Sequence, residues 1–153
     1  MLYIGSDHGG FQKKEEIKKL LQEMGVEFTD VGNAVYDPDD DYPDFARKVA
    51  EAVSKNPDQD RGILLCRSGV GVDVAANKYP NVRSSLIATD EMARFSRLHD
   101  NANVLSLAAD YLTERETFHL VKTWLQTPFS GEERHMRRLK KLDEIEKAAQ
   151  KSA

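Results

Sequence analysis

The feature that most constrains this chain is a regular alternation of short apolar runs with segments of helical periodicity. Leu2-Tyr3-Ile4 reads as a first strand, closed by Ser6-Asp7-His8-Gly9-Gly10. Phe11, Ile17, Leu20, Leu21 and Met24 recur at near-helical spacing, with Gly25 as the stop. Val26 to Val31 gives a second strand, closed by Gly32 and followed by an acidic, proline-containing loop over Asp37 to Asp41. Pro43 stands where a first helical turn tolerates proline, and Phe45, Ala46, Val49 and Val53 mark a second helix. Gly62-Ile63-Leu64-Leu65-Cys66 is apolar throughout, as a parallel strand covered on both faces must be. The turn Ser68-Gly69-Val70-Gly71 then leads into a helix through Val74-Ala75-Ala76. Ser84 to Ala88 and Val104 to Ala108 are the fourth and fifth strands, with a helix over Asp90 to Leu98 between them. Thr113-Glu114-Arg115-Glu116 has the form of a capping box for a helix carrying Phe118, Val121 and Leu125. A last helix, about residues 131–150, carries Met136, Leu139, Leu142 and Ile145 on one stripe.

Strands that alternate with helices pair in parallel, because each crossover returns the chain to the same edge of the sheet. The pattern predicts an α/β fold with a five-stranded parallel sheet and helices on both faces. The 153 residues, with no internal repeat, low-complexity tract or linker, fit one domain over 1–153.

Composition narrows the function. The formal charge of −4 argues against nucleic acid as a partner. The first residues lack the pattern of a signal peptide, and no apolar run approaches the ~20 residues of a membrane span. A single cysteine makes no intrachain disulfide and no cysteine-based zinc site, so a reducing, cytoplasmic setting is expected.

In open parallel sheets, ligands bind beyond the carboxyl ends of the strands. Asp7-His8-Gly9-Gly10, Cys66-Arg67-Ser68-Gly69 and Asp90 stand at such ends. His99-Asp100-Asn101 precedes the fifth strand and needs its helix to return it to the same rim. Cys66 is either an inert core residue or a working one. Its place, where a buried strand breaks into a glycine-rich turn and a helix N-terminus, favours a thiolate, the more so if Arg67 turns inward. A phosphatase loop needs arginine six residues beyond the cysteine; that position is Val72, so a thiolate acting as base remains. The amides of Ser68-Gly69-Val70-Gly71 suit an oxyanion, although such turns are also purely architectural. Asp7 and His8 either cap the first helix or act on a ligand that the paired glycines let approach. Arg134 and Arg138, spaced i, i+4, share one helix face, either as a solvated basic surface or as a phosphate clamp. His119 reads as structural, and His135 as ambiguous.

Several motifs together carry a family resemblance. They are Ser6-Asp7-His8-Gly9-Gly10, Asp41-Tyr42-Pro43, Gly62 to Cys66, Ser68-Gly69-Val70-Gly71, Ala75-Ala76-Asn77-Lys78, Ser96-Arg97-Leu98-His99, Ala102-Asn103-Val104-Leu105 and Arg134-His135. In this order and spacing, over residues 1 to about 146, the chain resembles the type B ribose-5-phosphate isomerases and their galactose-6-phosphate isomerase relatives. The resemblance implies a Rossmann-like three-layer αβα sandwich. It implies a homodimer or dimer of dimers whose sites use both subunits, with the last helix a candidate contact. It implies aldose–ketose isomerisation of ribose 5-phosphate and ribulose 5-phosphate, with another sugar phosphate or a non-catalytic sugar-phosphate-binding protein as alternatives. Cys66 would be the C2 base, Ser68 would assist at the sugar oxygens, and His99 would open the furanose ring, with Asp7 nearby. Amides from Arg67 through Gly69, Val70 and Gly71 would hold the enediolate. His8, Arg134 and Arg138 would hold the phosphate, Tyr42 would line the pocket, and Asp100 would bind beside His99. No cofactor or metal is implied, and the sequence offers no ligand cluster of the zinc or iron types. The chain departs from the family at Arg67 (usually glycine), at Asp100-Asn101 (usually Asn-Asn or Asn-Asp) and at Asp110 (usually arginine). The first and last departures together predict an Arg67–Asp110 pair across the subunit interface.

Overall fold

The structure, a computed structural model, describes residues 1–151; Ser152 and Ala153, the end of the expected 1–153 domain, lie outside the described residues. In chain order the elements are β1 (Leu2–Ser6), α1 (Phe11–Glu23), β2 (Phe28–Asp30), α2 (Tyr42–Lys55), β3 (Arg61–Cys66) and α3 (Val70–Ala76). They continue with β4 (Ser84–Leu86), α4 (Asp90–Leu98), β5 (Val104–Ala108), α5 (Glu114–Gln126) and α6 (Glu133–Lys151). All five strands are parallel, in the order β2-β1-β3-β5-β4.

The continuous apolar run lies at the centre of this sheet. Ile63, Leu64 and Leu65 of β3 are fully buried, each contributing roughly 1.5–3 kcal/mol of hydrophobic stabilisation. Alternation sends Ile63 and Leu65 to one face, against Ile17 and Leu21 of α1 and Val121 and Trp124 of α5. Leu64 and Cys66 face the other way, against Val49 and Val53 of α2 and Val72 and Ala76 of α3. Helices thus cover both faces, as expected for a three-layer sandwich.

The ends of the helices follow their local chemistry. Thr113 Oγ1 accepts the Glu116 N–H at 3.2 Å while Glu116 accepts the Thr113 N–H at 2.8 Å, the reciprocal pair foreseen at the start of α5. Gly25 ends α1 in the left-handed region (φ +66°), and Val26 N–H returns to the Leu21 carbonyl. That turn consumes Val26 and Glu27, so β2 starts at Phe28 rather than at Val26. β4 is likewise shorter than expected; both are edge strands with one partner each. The last helix departs from the core: among its described residues only His135 is buried, and Met136, Leu142 and Ile145 stand 50%, 48% and 64% exposed. Among the described residues, no helix is long and apolar enough to cross a membrane.

Candidate active site

The strand order reverses between β1 and β3: β2 lies to one side of β1, and every later strand to the other. Such a switch point opens a crevice at the carboxyl ends of the two strands. Ser6 pairs with Leu65, so the next residues out along these strands are Asp7 and Cys66. Neighbouring strands lie ~4.8 Å apart, which sets Asp7 and Cys66 on adjacent strand ends at the crevice.

Cys66 is 5% exposed, and its Sγ accepts the Gly69 N–H at 3.2 Å. Gly69 makes this contact from the left-handed region (φ +72°), a conformation that leads directly into α3. Ser68 is exposed beside it, with its Oγ accepting the Val70 N–H at 3.3 Å. The Tyr42 ring lies against Gly71, where a Cβ would come within 2.9 Å of it.

On the β1 side, Asp7 is 7% exposed and its Oδ1 accepts the Gly10 N–H at 3.1 Å, so it does cap the 3₁₀ turn His8–Gly10. Burial pushes the Asp7 carboxyl up from the ordinary carboxylate range, and the nearby Asp40 charge adds to this; the Gly10 N–H and His8 oppose it. The two glycines also have a packing use. A Cβ on Gly10 would meet the Leu65 carbonyl carbon at 2.8 Å, and one on Gly9 would meet Arg67 Cγ at 2.5 Å. They let the turn seat directly on the end of β3. His8 turns to Asp40, whose Oδ1 accepts both the His8 N–H and its Nδ1 at 2.8 Å. Asp7, His8 and Asp40 bring ligand-capable atoms within 4.8 Å of one another, with His8 Nδ1 and one Asp40 oxygen already bound to each other.

Arg67 does not turn inward to the thiol. Its side chain is 65% exposed, and its guanidinium lies 3.6 Å from Asp110 Oδ2. The expected pair exists, but within one chain rather than across an interface. Its cause lies just past the strand ends, where Ala109 N–H bonds the Cys66 carbonyl at 2.9 Å and Asp110 N–H the Arg67 carbonyl at 3.0 Å.

His99, Asp100, Arg134 and Arg138 lie elsewhere. His99 caps the far end of α4, before β5 begins, so its helix does not return it to the rim of Cys66. Cys66 pairs with Ala108 and Gly62 with Val104, so the two rims are about 13 Å apart at ~3.3 Å per strand residue. The His99 ring stacks on Phe95 at 4.6 Å and meets His135 at 4.5 Å, which places the start of α6, with Arg134 and Arg138, at the same opposite edge. Buried Arg97 holds this corner, donating to Asn101 Oδ1 and to the Ala102 and Thr127 carbonyls. Burial, aided by Arg61 and Arg83, pulls the Arg97 pKa down to about 10. One chain therefore carries two half-sets of polar residues at opposite edges of its sheet.

A sequence profile of the ribose/galactose isomerases matches residues 2–142. The chain belongs to that family. It is 42% identical over 146 residues to the probable ribose-5-phosphate isomerase B of Mycoplasma genitalium, covering 95% of both chains. The crystal structure of that enzyme with bound ribulose-5-phosphate matches this fold with a TM-score of 0.92 over 95% of each chain. Ribose-5-phosphate isomerase B of Clostridium thermocellum gives 0.91 at 42% identity, over 97% of this chain and 98% of that one.

Within this isomerase family fold, sequence reasoning found the residues at the strand ends and missed those that hold them. Asp40 was visible only as one acid in a loop of four between 37 and 41. Fully buried Lys14, bound to Asp30 and to the Asn33 carbonyl, falls on the buried stripe of α1 with Ile17 and Leu21, where the sequence gives no sign of the partners of its charge. His135, ambiguous in sequence, is 2% exposed and hydrogen-bonds Ser130 Oγ through Nδ1 at 2.6 Å. Burial holds its imidazole below the usual histidine range, and His99 adds to this. Asp90 is taken up by His119 and Thr123 of α5, so it is not part of the crevice, and His119 has that surface role.

Proposed function

We propose that the chain interconverts ribose 5-phosphate and ribulose 5-phosphate through a cis-enediolate, with Cys66 as base. The observation that carries this reading is the placement of Cys66 beside Asp7 at the switch-point crevice, under the turn from Arg67 to Gly71. The thiolate removes the C2 proton of the open-chain aldose and returns it to C1; the electron pair moves through the enediolate onto the sugar oxygens and back. Amides of the turn hold the developing oxyanion, Ser68 assists at the sugar hydroxyls, and Asp7 stands beside the base. Tyr42 lines the pocket. The bound ribulose-5-phosphate of the Mycoplasma genitalium relative supports this substrate class.

His99 as the ring-opening group, Asp100 beside it, and Arg134 and Arg138 as phosphate ligands cannot reach Cys66 within one chain. The same reading therefore requires a homodimer or a dimer of dimers, in which the second half-set comes from a partner. The exposed stripe of Met136, Leu142 and Ile145 on α6 is the proposed contact.

The experiment is solvent exchange. Incubation in deuterium oxide should label the substrate at the exchanging carbon. Cys66→Ala should keep binding and lose about 10²–10⁴-fold in turnover, as for a removed general base. Near-normal exchange in that variant ends the assignment. A fully active monomer by light scattering ends the shared site. The Arg67–Asp110 pair at the crevice mouth supports a second reading, the same chemistry on a tetrose or hexose phosphate, and rates on a panel of sugar phosphates separate the two.

A further inference from the structure

We propose that Asp40 is a positioning residue for His8, orienting the ring with Nδ1–H on the carboxylate and Nε2–H outward as a cationic donor to the substrate phosphate. The inference rests on the reading of His8 as a phosphate ligand and extends it to a residue in the segment between β2 and α2.

The geometry is specific. One Asp40 oxygen accepts both the backbone N–H and the Nδ1 of His8, so the carboxylate fixes the ring relative to its own backbone. The other oxygen accepts Asn33 Nδ2 at 2.7 Å, and the Asn33 carbonyl accepts Lys14 Nζ at 2.9 Å. The Asp40 side chain is 7% exposed and that of Lys14 is fully buried, so the carboxylate has little freedom to leave. The Tyr36 ring closes the arrangement edge-on to His8 at 6.5 Å. Nε2, on the opposite side of the ring, has no partner among the described residues.

The protonation state follows from the neighbours. A neutral ring with its proton on Nδ1 presents a lone pair at Nε2, which repels a phosphate; only the imidazolium donates from both nitrogens. The hydrogen bond that His8 Nδ1–H donates to Asp40, with the Asp7 and Asp40 charges, holds the His8 imidazole above its ordinary range and outweighs desolvation. Of the cations packed against this turn, Arg67 faces Asp110 and Lys14 is bound to Asp30. A protein that merely anchored its loop through Asp40 would not need the charge.

The test uses sulfate as a competitive inhibitor of isomerisation, because its charge is constant from pH 6 to 9. In the unaltered protein sulfate inhibition should weaken as pH rises through the His8 pKa. Asp40→Asn keeps an acceptor for His8, and the Asn33 amide can turn over to meet the new NH₂. It should shift that midpoint down by about one pH unit, so inhibition above both midpoints falls about tenfold. His8→Gln should remove the pH dependence. If His8→Gln leaves sulfate inhibition unaltered, the phosphate-ligand reading falls and this proposal with it. If His8→Gln weakens inhibition but Asp40→Asn leaves the midpoint in place, Asp40 alone is excluded. A nitrogen-15 titration of His8 in the unaltered protein needs no variant. It should show a pKa above 6.5 and, once neutral, the proton on Nδ1; a proton on Nε2 would overturn the proposal.

Discussion

Alanine at Gly69 should separate backbone conformation from packing at the active turn. A Cβ there would face Leu86 Cδ1 at 2.5 Å, the Leu107 carbonyl carbon at 2.8 Å and Ala108 N at 3.0 Å. Leu86 can rotate aside. Leu107 and Ala108 cannot, because both are fixed in the β3–β5 ladder. The φ of +72° adds about 1–2 kcal/mol for any residue with a Cβ. Overpacking against backbone adds about 1–3 kcal/mol. The expected loss is thus about 2–5 kcal/mol, a large part of a typical 5–15 kcal/mol stability. Gly25→Ala is the control: its φ is +66° and nothing lies within 4 Å of the added atom, so only the first contribution applies. Urea unfolding of both variants by circular dichroism, at one protomer concentration, should show a larger drop in midpoint for Gly69→Ala at unchanged slope. Molecules that stay folded should also lose turnover, because the turn carries the N–H that Cys66 Sγ accepts. Equal destabilisation by the two alanines would refute the packing argument.

Other outcomes are expected. Arg134→Ala and Arg138→Ala should each weaken inhibition by inorganic phosphate about 10–100-fold, the range of a lost hydrogen bond to a charged group; unchanged inhibition in both removes the clamp. A double-mutant cycle with Arg67→Ala and Asp110→Ala should give a coupling of about 0–1 kcal/mol in stability, because both side chains are half exposed or more; a coupling of several kcal/mol would mean that the pair is buried in an assembly. Burial raises the Asp30 carboxyl, but hydrogen bonds from Lys14, Lys18 and the Gly32 N–H outweigh it and hold its pKa below the ordinary 3.8. A depressed carboxylate stabilises the fold above its unfolded pKa and loses that contribution as pH falls through the folded value. Asp30→Asn should therefore cost about 1–3 kcal/mol at pH 7, with Glu15 still 3.0 Å from Lys14, and the difference should shrink below pH 3.8. A difference constant from pH 7 to pH 3 would contradict this assignment.

The helix bounds at Asp90–Leu98, the fifth strand, the capping box at Thr113 and the central strand were legible in the sequence. Each is a local pattern: an apolar run, a helical period or a hydroxyl and a carboxylate three residues apart. The place of Cys66 and Asp7 at strand ends was legible for a related reason, since each closes an apolar run of a parallel sheet. Tertiary structure alone decided the rest. Which strands are neighbours set Asp7 beside Cys66, and the backbone bonds just past β3 and β5 brought Arg67 to Asp110. The same topology carried His99, Arg134 and Arg138 to the far edge, where helical period gives no hint of distance from the thiol. Asp40 lies outside any periodic pattern, and Lys14 shares the buried stripe of α1 with Ile17 and Leu21; the roles of both come from partners far off in sequence, which only the folded chain brings within hydrogen-bond reach.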